Sequence, residues 1–197
     1  MGKRVDFFFD VGSPASYLAW TQLPGMCQKA GAQLVYKPML LGGVFQATGN
    51  VSPVTVPAKG RYVNMEYQRY ARRYGVPLTM NSHFPIITLH LMRVVMGVQM
   101  KLPQQFNDVL VAVFKAMWID DLNLNEPALT SRTLESTGLT LAQVEGLIGD
   151  PEVKAALRAN TEEAVGRGVF GAPTTFVGEE MFFGQDKLDL IKEELAS

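Results

Sequence analysis

The stretch "FFFDVGSPASYLAW" fills residues 7–20. It opens as a run of aromatics, turns at Gly12, and resumes as Ser13-Pro14-Ala15-Ser16. Residues 4–9, "RVDFFF", suit a pleated, packed surface and read as a buried strand. Asp10-Val11-Gly12 makes a turn. Ser13 is a preferred N-cap residue, because its side-chain oxygen can accept from the unpaired N–H groups of a first helical turn. Pro14 suits the first helical position, where its missing N–H would be unpaired anyway. A redox Cys-x-x-Cys motif would occupy the same junction beside a βαβ pattern. Here positions 13 and 16 are both serine.

The helix that starts at Pro14 is expected to reach about Lys29, interrupted near Pro24-Gly25 and stopped by Gly31. "QLVYKPML", residues 33–40, reads as a second strand. A strand, a helix and a strand in that order make a βαβ unit with parallel strands. "LLGGVFQATGNVSPVTVP" has glycine and proline throughout and reads as a long loop, of the sort that is functional or disordered. From Lys59 to about Gly168 the pattern is helical, with Thr140 and Gln143 spaced as a capping box and a break at Gly149-Asp150-Pro151. The end returns to "PTTFVG", "EEMFFG" and "QDKLDLIKEELAS": strand, strand, helix. The class is therefore α/β, ordered βαβ, helical block, ββα. Residues 1–58 and 169–197 form one small mixed-sheet domain, and 59–168 form an all-helical insertion domain.

Composition narrows the function. The 197 residues are 47% hydrophobic, enough for one globular unit with an insertion. A net charge of -1 gives no basic excess for nucleic acid. Charges interrupt every apolar segment before it could span a membrane. The start, "MGKRVDFFFD", lacks the apolar region of a signal peptide, and Asp6 departs from the myristoylation pattern. Cys27 is the single cysteine, so no internal disulfide can form and a cytoplasmic setting is the default. Two histidines and one cysteine do not supply an ordinary zinc site, and no metal is expected. His83 reads as a solvated loop residue and His90 as a packed one.

Three short pieces carry candidate chemistry. A hydroxyl at Ser13 can donate to an anion held at a helix start. No thiol of the chain lies there, so a thiolate at that place would arrive with a ligand. Taken alone, Ser13 reads first as an ordinary N-cap, worth about 1 kcal/mol. In "GVFGAPTTFVG" the proline forces an extended Ala172. A cis Ala172–Pro173 bond would leave the Ala172 N–H and C=O free for an extended peptide ligand; the alternative is a plain strand-start proline. In "FFGQDKLDLI", Gln185 and Asp186 stand at a helix start and could bind the charged end of an amino acid, or simply cap. Asn50 and Lys59 flank a loop, where solvation is the default.

Together these pieces resemble the 2-hydroxychromene-2-carboxylate isomerases and kappa-class glutathione transferases. The resemblance runs through "FFFDVGSPASYLAW", "LLGGVFQATGN", "VPAKGRYV", "AMWIDDLNLNEP", "GVFGAPTTFVG" and "FFGQDKLDLI", over nearly the whole chain. It implies a DsbA-like thioredoxin fold with a helical insertion, a homodimer, and glutathione as cofactor. Ser13 would be the catalytic residue, favouring the glutathione thiolate. Ala172, before a cis Pro173, would pair with the cysteinyl backbone. Gln185 and Asp186 would hold the γ-glutamyl end, and Asn50 and Lys59 the rest. Trp118, with Asp120 and Asp121 nearby, would shape the pocket of a small aromatic electrophile. The activity implied is interconversion of the chromene and its ring-opened benzylidenepyruvate, through a transient thiolate adduct whose single bond can rotate. The alternative is a transferase that consumes glutathione on another electrophile. A disulfide oxidoreductase is set aside because Ser13 and Ser16 cannot form a disulfide. A module that binds without turnover is the remaining rival.

Overall fold

The computed structural model describes residues 2–197. Strand β1 (Arg4–Phe9) pairs in parallel with β2 (Gln33–Pro38) and antiparallel with β3 (Thr174–Val177), which pairs antiparallel with β4 (Glu180–Phe183). The sheet order is β2-β1-β3-β4. The first strand thus lies between the second and the third, and its C-terminal end opens at the middle of the sheet. Two helices, α1 (Pro14–Trp20) and α2 (Leu23–Ala30), connect β1 to β2. The interruption expected near Pro24 is a full break at Thr21-Gln22, with Pro24 in the first turn of α2. Gly31 ends α2 at φ 64, a left-handed conformation that suits glycine.

The stretch after β2 corrects the expectation of a loop. Residues Leu41–Thr48 form helix α3 despite two glycines. Tertiary bonds supply what propensity does not. The Leu41 N–H donates to Asp10 Oδ2 at 2.9 Å, and the Leu40 N–H donates to Thr161 Oγ1 at 3.0 Å. Gly43 has a packing reason as well: a Cβ there would lie 3.1 Å from the Thr161 methyl. After a 3-10 turn at Pro53–Thr55 come α4 (Pro57–Tyr74), α5 (Leu89–Lys101), α6 (Phe106–Trp118), α7 (Pro127–Glu135), α8 (Leu141–Gly149) and α9 (Pro151–Gly166). The Thr140–Gln143 capping box forms at the start of α8. A 3-10 turn at Gln185–Lys187 and α10 (Leu188–Ala196) close the chain.

The alternation of β1 divides the core. Val5, Phe7 and Phe9 point to a large cluster that runs through α1, α5 and α6, and Phe7 and Phe9 stack at 5.1 Å. Phe8 points the other way, to Met39, Val44, Ala164, Val169 and Phe176. The helix α9 covers that second face. Beside it, the Arg167 guanidinium sits 3.7 Å over Phe176 and pairs with Asp6 at 2.8 Å. His83 is exposed as expected. His90 is also exposed, which corrects its reading as a packed residue: it falls on the outer face of α5 while Leu91 and Met92 turn inward. No helix among the described residues is long and apolar enough to cross a membrane.

Candidate active site

Asp10 organises the end of β1. It is 1% exposed. Its Oδ1 accepts from the Gly12 N–H at 2.9 Å, and its Oδ2 accepts from Leu41 N–H at 2.9 Å and Thr88 Oγ1 at 3.0 Å. One carboxylate thereby ties the turn before α1 to the starts of α3 and α5. Burial pushes its pKa up, against the pull of those three donors. Its role in joining these elements has no local signature, since the partners of Oδ2 lie 31 and 78 positions away.

Ser13 follows that turn and is buried. Its Oγ accepts from the Ser16 N–H at 3.1 Å and donates to the Ala172 carbonyl at 3.0 Å. The N-cap reading is therefore correct, and a second contact goes with it. The Ala172–Pro173 bond is cis. The Ala172 carbonyl is not free, because Ser13 holds it. The Ala172 N–H meets no protein acceptor among the described residues. Helix α1 has only seven residues, so its dipole is short and the serine hydroxyl is the stronger argument.

Ser13 and Ala172 lie on the wall of a cavity of about 730 Å³, inside the roughly 300–1,000 Å³ of small-molecule sites. Asn50 and Lys59 line it too. Lys59 is exposed and without an ion-pair partner among the described residues. The Asn50 amide is already engaged: Nδ2 donates to the Phe170 carbonyl at 2.7 Å and Oδ1 accepts from the Val51 N–H at 2.8 Å. It fastens the 49–56 segment to the segment that leads into the cis proline. The remaining wall is largely apolar, with Phe45, Val63, Met80, Phe84, Phe170 and Phe183. Phe170 and Phe183 pair at 4.5 Å between ring centres.

Other expected residues fall elsewhere. Pro173, Gln185 and Asp186 do not line the cavity. Gln185 is 4% exposed, and the Tyr74 hydroxyl lies 3.0 Å from its Oε1. Asp186 is paired with Lys187. Trp118 corrects the sequence reading: it is fully buried, and its Nε1–H donates to the Val11 carbonyl at 2.8 Å. An indole with a buried acceptor packs as core, and it touches the cavity only by backing Phe84 at 6.3 Å. Asp120 pairs with Lys115, while Asp121 accepts from the Ser82 N–H at 2.7 Å. Neither reaches the wall. Tyr67, which the sequence reading missed, does line it. Lys59, Val63 and Tyr67 are spaced at i, i+4 and i+8 along α4, a pattern that puts them on one face. Burial, with the nearby Asp186 charge, pushes the Tyr67 hydroxyl up to about 12, so it stays a neutral donor.

Cys27 is 2% exposed, away from this wall, and burial pushes its thiol up to about 11 from 9.0. The folded state favours the neutral thiol. That contribution to stability is intact below 9.0 and is lost as pH rises toward about 11. Iodoacetamide at mildly alkaline pH should therefore label Cys27 only after denaturation in urea, as read by mass spectrometry. Fast labelling of the native chain would contradict the burial.

The chain belongs to the DSBA-like thioredoxin domain family, matched over residues 4–196. Among its relatives is a 2-hydroxychromene-2-carboxylate isomerase of Sphingobium xenophagum, 30% identical over 99% of both chains. Glutathione S-transferase kappa 1 of Rattus norvegicus is 29% identical over 96% of this chain and 89% of that protein. A solved 2-hydroxychromene-2-carboxylate isomerase superposes with a TM-score of 0.83 at 28% identity, covering 98% of this chain and 94% of the other. These relatives are enzymes by name, an isomerase and a transferase. The expected DsbA-like fold with interposed helices is the observed one.

Proposed function

We propose that the chain is a glutathione-dependent isomerase that interconverts 2-hydroxychromene-2-carboxylate and its ring-opened benzylidenepyruvate in the breakdown of aromatic compounds. One observation carries the reading. The Ser13 oxygen is fixed by the Ser16 N–H on a cavity wall, beside an Ala172 N–H that meets no protein acceptor. Bound glutathione would supply a thiolate nucleophile at that place. The cavity fits such a group: its lining offers a backbone donor, a hydroxyl and an exposed cation among largely apolar side chains.

The chain's own residues have definite tasks in this reading. The Ser13 proton now points to the Ala172 carbonyl. A hydroxyl is a rotor, so this proton can swing to a sulfur anion while the oxygen stays held by Ser16. The Ala172 N–H would pair with a peptide backbone laid across the wall. Lys59 would face a carboxylate. Asn50 would act by holding the 49–56 segment closed, with Asp186 exchanging Lys187 for an ammonium group at the far end and Gln185 bracing it. Tyr67, kept neutral, would offer a hydrogen bond without charge. The apolar side chains exclude water and hold an aromatic ring. A cytoplasmic homodimer accompanies this reading. A transferase acting on another electrophile is the second reading, favoured by the near-equal identity to the rat kappa enzyme.

Calorimetry with glutathione, followed by ultraviolet assay of 2-hydroxychromene-2-carboxylate, tests both. Binding with isomerisation is the expected result. Binding without isomerisation points to the transferase, and absence of binding removes both readings.

A further inference from the structure

A second cavity, of about 690 Å³, is also lined by α3, but by a different face. Leu41, Phe45 and Thr48 line the candidate active site, whereas Gly43, Gln46 and Ala47 line this one. The spacings put the two sets on separate faces of the short helix, and the two linings share no residue. Helices α5 and α9 supply the other walls, with Leu89, Leu157 and Val165 as apolar surface and Arg93 and Lys154 as cations. Arg93 is half-buried, one turn after Leu89, and its guanidinium meets no acceptor among the described residues. The neighbouring Arg158 is held by Glu162 at 2.7 Å, whereas neither Arg93 nor Lys154 makes an ion pair among the described residues. The Thr161 hydroxyl is also engaged, accepting from the Leu40 N–H at 3.0 Å and donating to the Leu157 carbonyl at 2.8 Å. Arg93 and Lys154 are therefore the charged groups left for a ligand.

A half-buried guanidinium has given up part of its water, and a planar carboxylate matches it by shape as well as charge. The lining of α9 runs Lys154, Leu157, Arg158, Thr161, Val165, a stripe at i, i+3, i+4, i+7 and i+11. Cations stand toward its start and Val165 toward its end, about 16 Å away at about 1.5 Å per residue. That order suits a molecule with an acid at one end and a narrow apolar tail. We infer that this cavity binds an aliphatic carboxylate, its head at Arg93 and Lys154 and its tail along Leu157 and Val165. The inference does not rest on the proposed function, since neither glutathione nor its partner substrate enters it.

The test is calorimetry on the full chain, without glutathione, using octanoate, octanamide and butanoate. Octanoate should bind about tenfold more tightly than the amide, a modest preference in keeping with partly solvated charges. It should exceed butanoate by about tenfold or more, because four methylenes are missing there. The Arg93→Gln/Lys154→Gln variant should lose the preference for the acid, and Arg93→Lys should keep most of it. Lys154 is exposed, so Lys154→Gln alone should lose part of the preference and reads the same effect if the double substitution unfolds the chain. Lys59→Gln, in the other cavity, should bind octanoate as the parent does. Equal binding of acid and amide overturns the inference, as does no binding of octanoate. Equal affinity for octanoate and butanoate removes the tail and overturns the ligand class. A preference that survives loss of Arg93 and Lys154, or one that disappears in Lys59→Gln, places the acid elsewhere and also overturns it.

Discussion

Replacing Ser13 with alanine should lower glutathione-dependent turnover about a hundredfold, the scale of losing one donor to a developing anion, while glutathione binding changes only a few-fold. The side chain has two contacts, and the substitution removes both. Loss of the bond from the Ser16 N–H uncaps α1 and costs about 1 kcal/mol of stability. Loss of the hydroxyl proton removes the group that would face the sulfur. Ser13→Gly separates the two. Glycine is accepted at an N-cap at a cost of only about a few tenths of a kcal/mol, yet it donates nothing to a sulfur. It should keep the urea midpoint near the parent value and leave turnover low. The pH profile carries a sign as well. Without the donor the thiolate is less favoured, so the rise of activity with pH should shift to higher pH in Ser13→Ala. Turnover within threefold of the parent in Ser13→Ala, or in Ser13→Gly, would sink the role given to the hydroxyl.

Trp118→Ala should destabilise the chain by about 3–5 kcal/mol, the range for emptying a large aromatic site. The residue is fully buried, and its indole N–H is bonded to Val11 at 2.8 Å. Trp118→Phe keeps most of the volume and removes the donor. It should cost about 1–3 kcal/mol, because the Val11 carbonyl is left buried without its partner. Val11 lies in the turn that delivers Ser13, so the phenylalanine variant should also lose activity at temperatures where it is still folded. Urea denaturation followed by circular dichroism measures the first effect, and the turnover assay measures the second. A phenylalanine variant with the parent's midpoint would mean that the indole bond contributes nothing net.

The parts of the fold that could be read from sequence were those written locally. A strand of alternating faces, a Ser-Pro helix start, the Thr140–Gln143 box and the closing pair of strands each depend on neighbours within a few residues. Helix α3 could not be read this way. Its "LGGVFQAT" has poor helix propensity, and it forms because Asp10 and Thr161 meet its first N–H groups and Val44 enters the second core. The candidate site divides along the same line. Ser13 and Ala172 were legible because a cap and a proline have local signatures. Trp118 misled because only the family resemblance put it at the pocket, whereas a tryptophan on a helix is more often core, and the distant Val11 acceptor decides. Phe183 and Phe170 gave no periodic signal, since they sit either side of β3 and meet only in three dimensions. Tyr67 did have a signal, its spacing from Lys59.

The serines at 13 and 16 also decide what can damage the molecule. A protein that works through its own cysteines is open to peroxide, which oxidises an exposed thiolate to sulfenic acid and further. This chain has no thiol at the helix start, and its one thiol is enclosed at Cys27. If the chain borrows its thiol as proposed, oxidative stress would act at the site on that supply of reduced thiol, while exposed methionines such as Met65 and Met100 stay open to sulfoxide formation. Activity lost through the borrowed thiol would return with the reductant, with no repair of the helix start.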